Sequence, residues 1–131
     1  MDYEKLDVYQ VSLQVVKSVG IIRKGCPGMD RVIRDQICRA SICIVLNIAE
    51  GTGKRSPADR RRFYEIARGS AMETAAALDV LLVLGHATTV SVEECKSLLR
   101  RVKAMLTRMT NVSSQSVSEE TALYGNVQEA V

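Results

Sequence analysis

The sequence has no tryptophan and one phenylalanine, and aromatic residues make up only 4% of its 131 residues. A chain of this length forms a single domain with one core. Because hydrophobic residues nevertheless account for 47% of the sequence, the core must be built from leucine, isoleucine, valine, alanine and methionine. This composition is typical of a helical bundle, and the shortage of aromatic rings leaves little to stack on nucleic-acid bases.

Residues that bind metals or perform catalysis are equally scarce. The four cysteines form no Cys-x-x-Cys pair, and only one histidine, His86, accompanies them, which argues against a zinc site. A di-iron bundle needs Glu-x-x-His motifs on facing helices, and no acidic residue lies three positions before His86. Gly51-Thr52-Gly53-Lys54 follows a predicted helix, whereas a phosphate-binding loop follows a strand. We therefore expect no metal, no cofactor and no enzyme, and we interpret His86 as a loop or cap residue.

No apolar run is long enough to cross a membrane. The most apolar stretch, Ile37 to Ala49, is shorter than the ~20 residues that a bilayer requires and contains Arg39 and Asn47. The first residues lack the basic and apolar regions of a secretory signal. Two of the cysteines lie inside the apolar stretch, where cysteine usually acts as a small hydrophobic residue. These features predict a reduced, cytoplasmic protein.

The few polar residues between Gln36 and Gly51 follow a helical register. They recur at steps of three or four, which places them on one stripe of a helix with about 3.6 residues per turn. Aliphatic residues occupy the other faces, and a helix that is apolar all round is a buried one. We predict that this helix is the centre of the fold and that the other helices cover it. The stripe consists of Gln36, Arg39, Cys43, Asn47 and Glu50.

Apolar periodicity and turn residues divide the chain into four helices. We predict helices over residues 3–24, 29–50 and 57–84, and a fourth that begins at the capping box Ser91-Val92-Glu93-Glu94. The expected fold is all-α, an up-down-up-down four-helix bundle over residues 1–112. A polar, mobile tail should follow over residues 113–131.

The apolar pattern also predicts which faces point inward. Helix one carries two seams. Because one would suffice for a monomer, the second suggests self-association, although a wide apolar stripe is also normal for a helix that faces the core. The seams are Leu6, Tyr9, Leu13 and Val16, and Val8, Val11, Val15, Val19 and Ile22. The inner face of helix three is predicted to hold Phe63, Ile66, Ser70, Glu73, Ala77, either Val80 or Leu81, and Leu84. The inner face of helix four is predicted to hold Val92, Cys95, Leu99, Val102, Leu106 and Met109.

A short loop between helices two and three should make them antiparallel, which places Gln36 and Arg39 opposite Glu73 and Ser70. We predict an Arg39–Glu73 ion pair in the bundle interior. Glu73 could instead be a catalytic base or a metal ligand. The structural role is favoured because a buried charge that loses its partner costs ~3–5 kcal/mol.

Positive charge is concentrated between helices two and three. Five basic residues lie within nine positions, opposed only by Asp59, at a helix N-terminus that Ser56 and Pro57 open. They are Lys54, Arg55, Arg60, Arg61 and Arg62. The cluster is either a site for nucleic-acid backbones or a solvated helix end. Arg100, Lys103 and Arg108 form a weaker second candidate, and Tyr64 is the one exposed aromatic residue expected nearby.

The stretch around the polar stripe resembles a known signature, approximately Gln-x-x-Arg-Ala-Ala-x-Ser-Ile-Pro-x-Asn-Ile-Ala-Glu-Gly. It belongs to the bacterial four-helix bundle proteins encoded in intervening sequences of large-subunit ribosomal RNA genes. The chain departs from it at Cys43, where the family usually has serine, and at Val45, where it usually has proline. The resemblance covers roughly residues 3 to 112. The matching residues are Gln36, Arg39, Ala40, Ile44, Asn47, Ile48, Ala49, Glu50 and Gly51.

The resemblance implies a pentameric ring and a helper that works with nucleic acids. A related accessory protein, the accessory variability determinant, serves the reverse transcriptases of diversity-generating retroelements. The first hypothesis is therefore a non-catalytic oligomer that binds RNA or DNA backbones and assists an enzyme such as a reverse transcriptase. The alternative is a protein-interaction scaffold whose basic patches meet an acidic protein, and an enzyme is the third.

Overall fold

The computed structural model describes the backbone of residues 1–123 and the side chains of residues 1–111. Within residues 1–123 the chain forms four α-helices and no strand, as predicted. A short 3-10 helix, Asp2–Lys5, precedes them. The α-helices are α1 (Asp7–Lys24), α2 (Arg31–Thr52), α3 (Pro57–Val83) and α4 (Thr89–Leu123).

Each helix packs against two neighbours, so the four helices form a bundle. Helices α1 and α3 both contact α2 and α4. Side-chain contacts fix the directions of the helices, since Asp79 on α3 meets Lys96 on α4 while Arg68 meets Thr107. As one residue number rises the other falls, which means that α3 and α4 are antiparallel. The connections are short throughout, and the result is an up-down-up-down bundle.

The core is almost entirely aliphatic, as the composition requires. The predicted inner face of α4 is buried, apart from Met109, which is partly buried, so that prediction is confirmed. The second seam of α1 is buried in the core of the single chain, so it is not available for the contact with another copy that the sequence suggested. Leu78, Leu81 and Leu106 are completely buried, and burying a side chain of this size stabilises the fold by about 1.5–3 kcal/mol.

The register predicted for the first half of α3 is wrong by one position, whereas Ala77 and Leu81 face inward as predicted. Its buried residues are Tyr64, Ala67, Ala71, Thr74, Ala77, Leu78 and Leu81. Ile66 is 45% exposed, while small alanines occupy the buried face, where they let the neighbouring backbones approach. Tyr64, expected to be exposed, is only 5% exposed, and its hydroxyl lies 3.0 Å from Thr52 Oγ1.

Helix α2 is not covered on every side, which corrects the prediction of a central helix. Ile42 is 45% exposed and Leu46 is 58% exposed. The physical reason is the architecture, because a helix at the corner of a four-helix bundle has two neighbours and its outer faces remain open. Apolar residues on those faces are available for another contact.

The ends of α4 also differ from the prediction. Thr88 rather than Ser91 caps the helix, since the Ser91 N–H donates to Thr88 Oγ1 over 3.1 Å. Helix α4 continues to Leu123, through much of the segment predicted as a mobile tail from Ser113. That segment contains neither proline nor glycine before Gly125, so nothing in it interrupts a helix. Residues 124–131 lie outside the described part of the chain.

Candidate nucleic-acid interface

Helices α2 and α3 approach each other closely where they meet. Gly51 is buried in the last turn of α2, and a Cβ atom there would lie 2.8 Å from Tyr64 Cε1 and 3.0 Å from Phe63 Cβ. Only glycine therefore permits this approach. The helix runs on to Thr52, two residues beyond the end predicted from the sequence.

The start of α3 is capped as predicted. The Asp59 N–H donates to Ser56 Oγ over 3.4 Å, and Pro57 occupies the first turn, where its missing N–H is not needed. The remaining first-turn amides add partial positive charge to this end of the bundle.

Arg60 holds the loop between α2 and α3 together. Its Nη1 donates to the carbonyl oxygens of Lys54, over 3.0 Å, and Arg55, over 2.7 Å. These carbonyls follow the end of α2, where backbone acceptors lack helical partners. Arg60 therefore has a structural role that charge counting did not indicate, and its guanidinium is fixed in place.

Three of the other cations contact neighbouring side chains. Lys54 Nζ lies 3.5 Å from Glu50 Oε2 and 5.1 Å from the centre of the Phe63 ring. The Arg62 guanidinium lies 4.8 Å from the same ring centre, which is a cation–π distance. Arg61 Nε lies 3.9 Å from Glu65 Oε1. Lys54 and Arg61 are thus partly neutralised, whereas Arg62 keeps its full charge.

Arg55 and Arg62 are the cations most available to a ligand. Both are exposed, and neither lies within 4.0 Å of a carboxylate among the residues whose side chains are described. Both can therefore turn towards a phosphate without breaking an ion pair.

Arg108 joins this cluster from α4. It lines a groove together with Arg60 and Tyr64 of α3 and Leu6 at the start of α1. The part of α4 around Arg108 lies at the end where α3 begins because the two helices are antiparallel. We use the term basic end for the surface formed by six residues: Lys54, Arg55, Arg60, Arg61, Arg62 and Arg108.

The second candidate, a basic stripe of Arg100, Lys103 and Arg108 along α4, does not form a single basic surface. Arg100 Nη1 donates to Glu93 Oε1 over 2.6 Å. This hydrogen bond and the accompanying charge lower the pKa of Glu93 and raise that of Arg100. Arg100 is therefore engaged with a carboxylate, and Arg108 belongs to another surface. Lys103 remains exposed on α4.

The polar seam lies at the surface of the bundle rather than in its interior; we use this term for Gln36, Arg39, Asn47 and Glu50 of α2 with Ser70 and Glu73 of α3. Glu73 Oε2 accepts hydrogen bonds from Gln36 Nε2 at 2.8 Å and Arg39 Nη2 at 3.4 Å, so the predicted partners do meet. The Arg39 side chain is 60% exposed and that of Glu73 43% exposed, which corrects the predicted burial. The stripe lies along the outer edge of the α2–α3 contact, where long side chains reach water.

The remaining seam residues do not form one network. Asn47 Nδ2 donates to the carbonyl oxygen of Cys43 in its own helix, over 2.8 Å. Glu50 pairs with Lys54, and the Ser70 carbonyl accepts from Thr74 Oγ1. These contacts supply local stability and bring no pair of catalytic groups together.

The described residues contain no group of three or more side chains that could hold a metal ion. None of the helices in residues 1–123 has the length and apolarity of a membrane span.

His86 lies in the α3–α4 connection, as predicted, with Nδ1 3.6 Å from Cys26 Sγ, while Nε2 accepts from the Asp30 N–H over 3.5 Å. It thereby connects the two loops at the end of the bundle opposite the basic end, a contact that no sequence pattern indicated.

Comparisons with known proteins agree with this architecture. A solved structure from Bacteroides thetaiotaomicron VPI-5482, described as a protein with unknown function from the S23 ribosomal protein family, matches with a TM-score of 0.72 and 25% identity. The match covers 79% of this chain and 97% of that one. No curated protein matches the chain. Residues 4–108, which include the whole basic end, match the profile of the 23S rRNA-intervening sequence proteins. The chain belongs to the 23S rRNA-intervening sequence protein family.

Proposed function

We propose that this protein is a non-catalytic, self-associating accessory protein that binds the backbone of RNA or DNA through its basic end. The observation that carries the proposal is the convergence of the six cations from the α2–α3 loop, α3 and α4 on one end of the bundle. The carboxylates that pair with this surface are Glu50 and Glu65. A net positive surface remains.

The chemistry of the basic end suits phosphate groups better than particular base pairs. Guanidinium groups bind phosphate oxygens in a bidentate manner, and five of the six cations are arginines. Such contacts position a nucleic acid without selecting a sequence. The name of the family, which refers to 23S rRNA, supports an RNA-related role. A helper of a reverse transcriptase in the cytoplasm is one form that this role can take.

Self-association would multiply the basic end around one rim. Exposed aliphatic side chains on α1 and α2, including Leu13, Ile42 and Leu46, are suited to contact with a second copy. A pentameric ring is the arrangement that the sequence resemblance implies. Several phosphate-binding surfaces on one rigid particle would bind a long nucleic acid more tightly than one surface.

The test removes charge without disturbing the loop. The double variant Arg55→Gln and Arg62→Gln keeps long, helix-compatible side chains and leaves Arg60 in place. We expect weaker binding to RNA and DNA, and a plot of log affinity against log salt that flattens by about 0.9 per lost phosphate contact on duplex DNA and about 0.7 on single strands. Fluorescence anisotropy over a salt series measures both quantities.

The matched control is Arg23→Gln with Lys24→Gln, which removes the same charge from the opposite end of the bundle. Its binding should stay close to that of the wild type. If the two double variants bind equally well, the basic end is a solvated cap. If the wild type binds neither RNA nor DNA at low salt, the scaffold alternative takes over, and an acidic protein becomes the partner to seek.

A further inference from the structure

A groove opens at the basic end between the start of α1, the first turns of α3 and the turn of α4 that holds Met105, Arg108 and Met109. Its volume is about 400 Å³, within the ~300–1,000 Å³ typical of sites that hold small molecules. Apolar side chains form much of its lining: Leu6, Tyr64, Met105 and Met109. The two methionines are partly buried and pack against the core, so contact with the core holds this part of the lining in place.

Two arginines and one aspartate also line the groove. Arg60 is held by the loop carbonyls through Nη1, which leaves the rest of its guanidinium available in a fixed position. Arg108 is exposed and forms no ion pair among the residues whose side chains are described. With Asp7 also present, the net charge around the groove is +1 (two arginines minus one aspartate), which matches the single negative charge of a phosphodiester.

We propose that the groove accepts one unstacked base of a single-stranded nucleic acid, while Arg60 and Arg108 hold the phosphate attached to that nucleotide. The inference rests on the proposed function and adds a substrate class to it, single strands rather than duplexes. A duplex keeps its bases stacked and paired, so their faces cannot reach an apolar groove, whereas bases of single strands are free to do so.

The composition of the groove suits a base. Thioether groups are polarisable and contact aromatic rings favourably, which lets Met105 and Met109 replace the aromatic residues that the sequence lacks. Asp7 can accept a hydrogen bond from an N–H at the edge of any base, either an exocyclic amino group or the ring N3–H of uracil and thymine. Because polarisable contacts do not distinguish among bases, binding should remain tolerant of sequence.

Photocrosslinking of the wild-type protein tests the position of the base. A uridine 12-mer RNA with a central 4-thiouridine is bound at low salt and irradiated, and the crosslinked peptides are identified by mass spectrometry. We expect crosslinks at Tyr64, Met105 or Met109. If the RNA binds but crosslinks only outside the groove, the inference is wrong while the proposed function stands. If the RNA does not bind, the inference is wrong, and the proposed function fails as well only if the protein binds neither RNA nor DNA at low salt.

Affinity measurements test the role of Arg108. The wild type should bind a single-stranded oligonucleotide several-fold more tightly than a duplex of the same sequence, although the duplex carries more charge. Arg108→Gln should weaken single-strand binding by about tenfold, the effect expected for losing a charge-assisted hydrogen bond. Arg23→Gln, at the opposite end, is the control and should have no such effect. Equal wild-type affinities for single strand and duplex, or an Arg108→Gln effect no larger than that of the control, would overturn the inference.

Discussion

At the scale of single residues, two charged side chains, Arg60 and Glu73, form hydrogen bonds whose position in the fold could not be read from the residue type alone. Arg60 donates hydrogen bonds to two carbonyl oxygens of the α2–α3 loop. Glu73 accepts hydrogen bonds on the outer edge of the α2–α3 contact. Glycine also contributes by its lack of a side chain. Gly51 lets the Tyr64 ring pack directly against the backbone of α2.

Replacing Gly51 by alanine should destabilise the protein. The new Cβ would lie 2.8 Å from a Tyr64 ring carbon and 3.0 Å from Phe63 Cβ, so α2 and α3 would have to separate, at a cost of about 1–3 kcal/mol. Urea denaturation measures the change. Gly69 is the matched control, since it lies within α3 with nothing within 4 Å of its added Cβ. Gly69→Ala should stabilise the helix by up to about 1 kcal/mol. Equal effects of the two substitutions would contradict this account.

Replacing Glu73 by alanine should have a small effect. Because both partners of the Arg39–Glu73 pair are well exposed, solvent screens the charges, and such pairs contribute about 0–1 kcal/mol. Thermal denaturation of the wild type, of Glu73→Ala, of Arg39→Ala and of the double variant gives a double-mutant cycle, which isolates the interaction energy of the pair. A loss of several kcal/mol would mean that the pair is buried, as the sequence first suggested.

At the scale of elements, the connection between α2 and α3 is stabilised from both sides. Ser56 caps the start of α3, and Arg60 satisfies carbonyls that follow the end of α2. The loop can therefore be short and still present Lys54 and Arg55 in defined positions. A rigid loop loses less entropy when a ligand binds to it.

Arg60→Gln should destabilise the fold by about 1 kcal/mol, because it removes two charge-assisted hydrogen bonds from a partly exposed site. Arg62→Gln, two residues along the same helix, should leave stability nearly unchanged, since Arg62 donates to no loop carbonyl. Chemical denaturation of the two single variants gives the comparison. An Arg60→Gln protein as stable as the Arg62→Gln protein would show that the loop does not depend on Arg60.

At the scale of the whole molecule, the bundle has a chemically divided surface. One end is basic, while aliphatic side chains remain exposed along α1 and α2. Leu46 lies beside Ala49 and Gly53 in a shallow depression on α2, and Ile42 borders Val16 and Gly20 of α1. We use the term apolar face for Leu46, which lies near the basic end, and Ile42, which lies farther from it on the same helix.

We predict that the protein is a homo-oligomer with a mass several times 14.4 kDa in light scattering at micromolar concentration. Leu46→Glu should dissociate it, because the substitution places charge on the apolar face, while the fold should survive since Leu46 is 58% exposed. Val32→Glu is the control, because Val32 is 79% exposed near the other end of the same helix. A monomeric wild type would refute the prediction.

The sequence by itself determined the helices, the cap at Ser56, the inner faces of α1 and α4, and the partners Gln36, Arg39 and Glu73. These follow from local periodicity and from the antiparallel geometry that a short loop imposes. Only the tertiary structure decided the register of α3, the exposure of Ile42 and Leu46, and the arrival of Arg108 at the basic end. On α3, two adjacent stripes both contain apolar residues, and the close approach at Gly51 and Tyr64 selects between them. Burial depends on which helices lie alongside, and this information is distributed over the whole chain rather than held in any one segment.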